Sequence, residues 1–400
     1  MKSIKNSIYP LTQSVLEDKD LSAAIRVIKS KKITMGRKTN EIESYFSKKI
    51  VKNNSLMVNS GSSANLLIFQ CLINPLVKRL SKNDEVLIPA ICWSTSLWPI
   101  IQSGLKVKFV DINQETLNID TNDLKNKISK RTKALMLVHA MGNCADMDEI
   151  VKICKKNKII LIEDTCEALG STFKKKKLGT FGEFSSYSFY YSHHITSGEG
   201  GMVCCKNKKY KDILKSLRSH GWSKGLSNSK NLAKKFSNID KNWIFVNSGY
   251  NLRTTDINAA IGLEQLKRIK QILAIRKHNF YKIKNSLLKN SNYKKQFSII
   301  NEHKKSNIAW FGIPITLNTK SKKYKLSVMQ KLDKLGIMTR PIISGNFAKQ
   351  PSIKLYNIKI NYKLPIADLI DRNSFFLGLH NIKISDYKVN QITKYIYSCL

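Results

Sequence analysis

Ile160-Leu161-Ile162-Glu163-Asp164 sets three aliphatic residues before two acids, and its surroundings decide the fold. A continuous apolar run, without polar alternation, fits a strand buried on both faces; the strand is expected over 159–164. Before it, residues 147–156 space their apolar positions as an amphipathic helix, and residues 134–139 form another aliphatic run. Further outward, strands are expected at 55–58, 85–89, 107–111, 185–190 and 202–205, and helices at 62–80 and 121–130. Strands alternating with helices imply an α/β fold built on an open, mostly parallel sheet. Such sheets take ligands at the carboxyl ends of their strands and at helix N-termini.

Beyond about residue 265 the pattern changes. A long amphipathic stretch over 257–288 leads into a strand at 310–315, a helix at 327–335 and a terminal helix at 385–399. The expected organisation is a large domain with its N-terminal segment over 1–265 and a smaller C-terminal α+β domain over 266–400. Lys/Asn/Ser-rich loops are expected near 223–242 and 317–325, and another at Lys174-Lys175-Lys176-Lys177.

The 400 residues carry 69 Lys+Arg against 28 Asp+Glu, a net charge of +41, with 42% hydrophobic residues. That apolar fraction is too high for a disordered chain. No run of about 18 uncharged apolar residues is present, so no membrane insertion is expected. Residues 1–10 lack the apolar core of a signal peptide. Only ten of the basic residues are Arg, and the lysines are spread along the chain, with small clusters such as Lys320, Lys322, Lys323 and Lys325. Nucleic-acid readers concentrate basic residues on one element and favour Arg, so no nucleic-acid partner is expected. The positive field instead suits small anions such as nucleotide sugars. The eight cysteines form no Cys-x-x-Cys pair. They read as buried thiols of a reducing compartment, and the protein is expected to be soluble and cytoplasmic.

Three segments carry chemistry. Asn59-Ser60-Gly61-Ser62-Ser63-Ala64-Asn65 follows a strand and opens a helix. A glycine and hydroxyls at a helix start make a phosphate cradle, although an ordinary Ser N-cap fits the same residues. Asp164, at the end of its strand, can face a cationic ligand group such as a protonated pyridine nitrogen, or cap the next helix. Tyr187-Ser188-Phe189-Tyr190-Tyr191-Ser192-His193-His194-Ile195-Thr196-Ser197-Gly198-Glu199-Gly200-Gly201 sets paired histidines before a glycine-rich return. Neutral His suits acid/base work near pH 7. Zinc is the competing reading, but the pair lacks i, i+4 spacing and a third ligand, so no metal is expected.

In this order and spacing the three segments resemble the sugar aminotransferase family of fold-type I pyridoxal-phosphate (PLP) enzymes. The resemblance extends to Tyr9-Pro10-Leu11, Thr34-Met35-Gly36, Pro89-Ala90-Ile91-Cys92-Trp93-Ser94-Thr95, Phe109-Val110-Asp111, Gly249-Tyr250-Asn251-Leu252-Arg253 and Ala260-Ile261-Gly262-Leu263-Glu264-Gln265. In most of that family a lysine four residues after the Phe of the Ser-Phe pair holds PLP covalently; here the position is His193. A histidine there resembles the sugar 3-dehydratase branch, which deoxygenates a nucleotide-linked 4-keto-6-deoxyhexose at C3. Members acting on CDP-sugars carry a cysteine-bound iron–sulfur cluster, but this chain has no Cys between Cys205 and Cys399, so no cluster is expected. Ser192-His193-His194-Ile195, His220-Gly221-Trp222 and Arg340-Pro341-Ile342-Ile343-Ser344-Gly345-Asn346-Phe347 are similar to the cluster-free branch, whose substrate is GDP-4-keto-6-deoxy-D-mannose on the route to colitose.

The resemblance implies PLP converted to pyridoxamine phosphate (PMP) by L-glutamate, with His193 as the catalytic base. It implies that Gly61, Ser62 and Ser188 bind the cofactor phosphate and that Trp93 stacks on its ring. Asp164 would pair with the ring nitrogen, and Glu167 would lie near the ring hydroxyl. Asn251 is expected to reach the phosphate from a neighbouring subunit, which implies a homodimer with shared active sites. His194, Arg340 and Ser344 are weaker candidates for sugar-nucleotide contacts. The alternatives are a nucleotide-sugar 4-aminotransferase, which needs a lysine where none lies between Lys177 and Lys206, and a non-catalytic nucleotide- or RNA-binding protein.

Overall fold

The computed structural model describes residues 7–13, 16–291, 293–319 and 321–400. Most of the N-terminal stretch read for a signal peptide, residues 1–6, and Lys320 of the basic cluster lie outside them. The aliphatic runs become strands β1 (Asn54–Val58), β2 (Glu85–Pro89), β3 (Lys106–Val110), β4 (Thr132–Val138) and β5 (Ile160–Asp164). A small hairpin follows, β6 (Thr172–Phe173) and β7 (Lys176–Lys177), then β8 (Phe184–Ser188) and β9 (Gly201–Cys205). β1–β5, β8 and β9 form one sheet in the order β1-β9-β8-β5-β4-β2-β3. β8, β5, β4, β2 and β3 run parallel, whereas β9 is antiparallel to β8 and β1. Pro89, Val138, Asp164, Ser188 and Val58 therefore all end at the same edge, where the loops bearing the three chemical segments begin.

Every residue of β2, β5, β8 and β9 is buried, as continuous apolar strands covered on both faces should be. The helix Gly61–Ile73 lies across β8 and β9, with Ser94–Gln102 beside it. Helices Asp18–Lys29 and Arg37–Tyr45 pack on Asp256–Lys267.

Five short strands follow: β10 (Phe297–Ile299), β11 (Ser306–Asn307), β12 (Gly312–Leu317), β13 (Thr339–Pro341) and β14 (Ser374–Gly378). β11 pairs with the β6–β7 hairpin, and the others make an antiparallel sheet in the order β10-β12-β14-β13. One continuous core of buried side chains runs through both larger sheets.

Several expected elements are corrected. The helix expected over 62–80 stops at Ile73 because Pro75 follows Asn74, which it pushes to an extended ψ of 136°. The stretch over 257–288 is two helices, Asp256–Lys267 and Ile269–Leu288, broken at Arg268. Lys174 and Lys175, expected as a loop, make the turn of the β6–β7 hairpin in the left-handed region, at φ 48° and 63°. The loops expected at 223–242 and 317–325 contain the helix Ser229–Lys235 and the start of Lys322–Lys334.

β5 also separates its two acids, because successive strand residues face opposite sides. Glu163 is fully buried away from the ligand edge. Its Oε2 accepts from His139 Nε2 at 3.0 Å and Gly179 N–H at 2.7 Å, and its Oε1 from the N–H groups of Phe181 and Gly182, both at 2.7 Å. Burial pushes this carboxyl up, but His139 and the backbone donors outweigh it and hold it below the usual range. The stability it contributes is therefore present above the ordinary Glu range and lost as pH falls through the depressed value. Glu163→Gln turns an amide N–H toward backbone donors; about 2–3 kcal/mol of stability should go, read as a lowered unfolding midpoint in urea.

Candidate active site

Ser60 caps the helix Gly61–Ile73, its Oγ accepting from Ser63 N–H at 3.1 Å. At Gly61 an added Cβ would stand 2.8 Å from Cys166 Sγ and 2.9 Å from Ser188 Cβ. Only a residue without a side chain lets the helix start approach the end of β8 this closely. Gly61→Val should therefore cost about 1–3 kcal/mol through overpacking, measured as a lower Tm, and should weaken retention of a phosphate-bearing ligand in equilibrium dialysis. Ser62 Oγ lies 2.8 Å from Thr95 Oγ1, linking this helix start to the first turn of Ser94–Gln102.

Asp164 sits at the centre of this edge, 5% exposed. Its Oδ2 accepts from Asn65 Nδ2 at 2.9 Å and Ser96 Oγ at 2.7 Å, and its Oδ1 from Cys166 N–H at 3.1 Å. Three donors on three segments fix the carboxylate. Asp164 Oδ1 caps a turn and not the helix that the sequence offered as one reading, since residues 165–170 form no helix.

Trp93 is not at the end of β2 but four residues beyond it, at the N-cap of Ser94–Gln102, and is 57% exposed. A large aromatic face left open on the rim of a polar site is a surface on which a flat ring can stack. Ser344 Oγ donates to Cys92 O at 2.6 Å, which places it next to Trp93.

Glu167 is turned under the next loop. Its Oε2 accepts from Met141 N–H at 2.7 Å. Burial, partly offset by that bond and reinforced by Asp164, raises its carboxyl to about 7.

The His193 imidazole lies between two aromatic rings, Phe311 at 5.2 Å and Tyr190 at 6.2 Å between centroids. Its Nδ1 is buried without a hydrogen-bond partner. Burial pushes the ring down to about 4; Asp164 pulls it up and Arg276 pushes it further down. It is neutral near pH 7 and able to accept a proton.

His194 is placed differently from a substrate contact. It is fully buried, with Nε2 2.9 Å from Ala309 O, and burial with the Arg276 charge holds it well below the usual His range. Arg340 lies exposed on edge strand β13. Asn251 is exposed, its Oδ1 accepting from Arg253 Nε at 3.0 Å, and the carbonyl of its neighbour Leu252 accepts from Asn59 N–H at 3.1 Å. Asn65, Thr95, Ser96 and Phe311 belong to the site but were not singled out in the sequence. The hydroxyl run Ser94-Thr95-Ser96 after Trp93 was the available signal for two of them.

The nearest lysines in sequence are engaged elsewhere: Lys177 Nζ donates to Lys49 O at 3.1 Å and Lys206 Nζ to Phe181 O at 2.8 Å. Among the described residues no group of three or more His, Cys, Asp or Glu could hold a metal ion, and all eight cysteines are free. No helix of the described residues is long and apolar enough to cross a membrane.

Residues 15–396 match the model of the DegT/DnrJ/EryC1/StrS aminotransferase family. The chain is 35% identical over 381 residues to GDP-4-keto-6-deoxy-D-mannose 3-dehydratase of Escherichia coli O55:H7, covering 94% of this chain and 97% of that protein. It is 34% identical to the enzyme of the same name from Yersinia pseudotuberculosis, covering 94% and 95%. A solved structure of GDP-4-keto-6-deoxymannose-3-dehydratase with a trapped PLP-glutamate geminal diamine superposes with a TM-score of 0.90 at 34% identity, covering 97% of this chain and all of that one. The polar cradle at Gly61, the held carboxylate of Asp164 and the histidine loop therefore sit on a scaffold shared along almost the whole chain, which belongs to the DegT/DnrJ/EryC1/StrS aminotransferase family.

Proposed function

We propose that this chain is a PLP/PMP-dependent 3-dehydratase of a nucleotide-linked 4-keto-6-deoxyhexose, with GDP-4-keto-6-deoxy-D-mannose as substrate and L-glutamate as nitrogen donor. The observation that carries it is a neutral imidazole, His193, at the position where most aminotransferase relatives place their cofactor lysine. The two relatives named for this dehydration and the related structure holding PLP with glutamate support the same substrate and cofactor. In the net reaction glutamate is oxidised to 2-oxoglutarate with release of ammonia, and the sugar is reduced by loss of its C3 hydroxyl oxygen. Atoms and electrons balance without another reductant.

The residues fit the cofactor. The close approach at Gly61 brings the helix start against Ser188, so the free N–H groups of that start and the hydroxyls of Ser62 and Ser188 would together take a phosphate. Trp93 presents its face to the pyridine ring, Asp164 its carboxylate to the ring nitrogen, and Glu167 its carboxyl toward the ring hydroxyl. When bound, the cofactor supplies the primary amine that captures the sugar ketone and a ring that accepts electrons.

His193 does the proton work: its imidazole takes a proton beside the reacting carbon and delivers it to the departing C3 oxygen. It also cannot tether the cofactor, so the amine is not recycled into a 4-amino sugar. Asn251 of the partner subunit completes the phosphate contacts in a homodimer, and Arg340 and Ser344 face the nucleotide sugar. Eight free thiols fit a cytoplasmic enzyme.

The test is incubation of the purified protein with GDP-4-keto-6-deoxymannose, PLP and L-glutamate, followed by mass spectrometry. The expected product has lost one oxygen, with ammonia released. A 4-amino sugar would assign the chain to the transaminases instead.

A further inference from the structure

Arg276 is a fully engaged guanidinium close to the histidine loop. It lies on the helix Ile269–Leu288, only 2% exposed. Nε donates to Trp310 O at 3.2 Å; Nη1 to Leu379 O at 2.6 Å and Asn381 Oδ1 at 2.9 Å; Nη2 to Trp310 O at 3.0 Å and Phe311 O at 2.8 Å. Five N–H groups are the whole donor set of an arginine, and among the described residues none of these bonds ends on a carboxylate. A buried positive charge without a counter-ion is costly and rare. Burial lowers the group to about 10, with the Tyr9 hydroxyl acting the other way, so it keeps its charge at neutral pH.

Two of its contacts lead to His193. Phe311, whose carbonyl it grips, sets its ring against His193 at 5.2 Å and His194 at 6.2 Å. Asn381, whose Oδ1 it also holds, donates from Nδ2 to His194 O at 3.0 Å. One guanidinium thus ties the start of β12 and the turn after β14 to the histidine loop. The groups acting on His193 are few: Tyr190 from its own loop, His194 beside it, Phe311 from the small sheet, Asp164 from β5 and Arg276 from the helix. Asp164 is the carboxylate in this set, and Arg276 opposes it.

We propose that Arg276 is a positioning residue for His193: its fork fixes the segments that hold the imidazole, and its unpaired charge keeps that ring free to take a proton beside Asp164. Neither Phe311 nor Asn381 could do both, since neither is charged. Arg276 also offsets the Asp164 carboxylate, and would offset the phosphates of a bound cofactor and nucleotide sugar, each of which favours a protonated, idle imidazole. The inference rests on His193 acting as the base.

The test reads the ring directly. The His193 Cε1–H signal is titrated by NMR in the protein without substrate, assigned by its loss in His193→Asn. In Arg276→Gln the midpoint should rise by about one pH unit, and kcat should fall about tenfold or more with KM little changed. Arg276→Lys keeps the charge but not the fork; its midpoint should stay near the native one, and kcat should recover in part. Should Arg276→Gln fail to fold, Asn381→Asp sets a carboxylate beside the guanidinium and should raise the midpoint as well. An unmoved midpoint in Arg276→Gln or Asn381→Asp, or a native kcat in Arg276→Gln, overturns the proposal and leaves Arg276 as a clamp between helix and sheet. Absence of any dehydration in the native protein fails the functional reading instead, and the titration still decides this one.

Discussion

His193→Lys should abolish dehydration, lowering the rate by at least ~10³-fold, near the upper part of what a positioned proton carrier supplies. At the same time a covalent link to the cofactor should appear, reducible by borohydride and visible as added mass on the peptide containing residue 193. Both effects follow from one substitution because the site around His193 is already built for a cofactor. Asp164 is held by three donors, and the Gly61 cradle stands against Ser188. A lysine placed there acquires a bound aldehyde to react with, while the enzyme loses a group that is uncharged and basic near neutrality. The same burial that pushes the imidazole down to about 4 will lower an ammonium in its place, which favours the amine form that tethers the cofactor. The native protein, treated identically, should show no added mass. Dehydration at full rate in the variant would remove His193 from the base's role, and a borohydride-stable cofactor adduct in the native protein would mean that another amine reaches the site.

Much of this site was legible in the chain because its segments are contiguous. The aliphatic runs 86–88, 134–138 and 160–162 inside β2, β4 and β5 have no polar residue to place on a solvent face, so their burial on both sides and the parallel sheet follow almost directly. Ligand segments at strand ends then fall on one edge by topology. The small sheet was harder to read. β13 is a three-residue edge strand, Thr339–Pro341, and β14 follows a nine-residue helix without a turn signal between them. Neither carries enough alternation to mark a period.

Long-range partnerships were illegible for a different reason. Asn65 and Asp164 are 99 positions apart, and Ser96 and Asp164 are 68 apart; no local pattern links them. Arg276 sits in a helix with several basic residues, and spacing alone does not mark which one is buried. The adjacent histidines show the limit most clearly. His193 and His194 are identical in type, yet one lies at the site against Phe311 and Tyr190, and the other is sealed against Ala309 O.

Asp164→Asn is the second large effect expected, and it separates charge from shape. The amide is isosteric with the carboxylate, so the strand end, the turn at Cys166 and the pocket outline should persist. Its cost to the fold is limited. The new N–H₂ must face either the Cys166 N–H or the pair Asn65 and Ser96; the Ser96 hydroxyl can turn to accept, which leaves about one hydrogen bond, ~1–2 kcal/mol, unmade. Tm should therefore fall by only a few degrees. The cost to chemistry is much greater. On the proposed reading a carboxylate beside the ring nitrogen would keep that nitrogen protonated, and the ring would then draw electrons more strongly while His193 moves the proton. An amide supplies no such charge. Loss of one preorganised electrostatic group of this kind costs about 10²–10³-fold in kcat, so kcat should fall by that factor while circular dichroism and the melting curve stay close to native. A variant that keeps near-native kcat would show that Asp164 serves only to cap its turn and order Asn65 and Ser96. One that loses both activity and its cooperative melt would point to scaffolding alone. Only loss of rate on an intact fold fits a carboxylate placed to serve the ring.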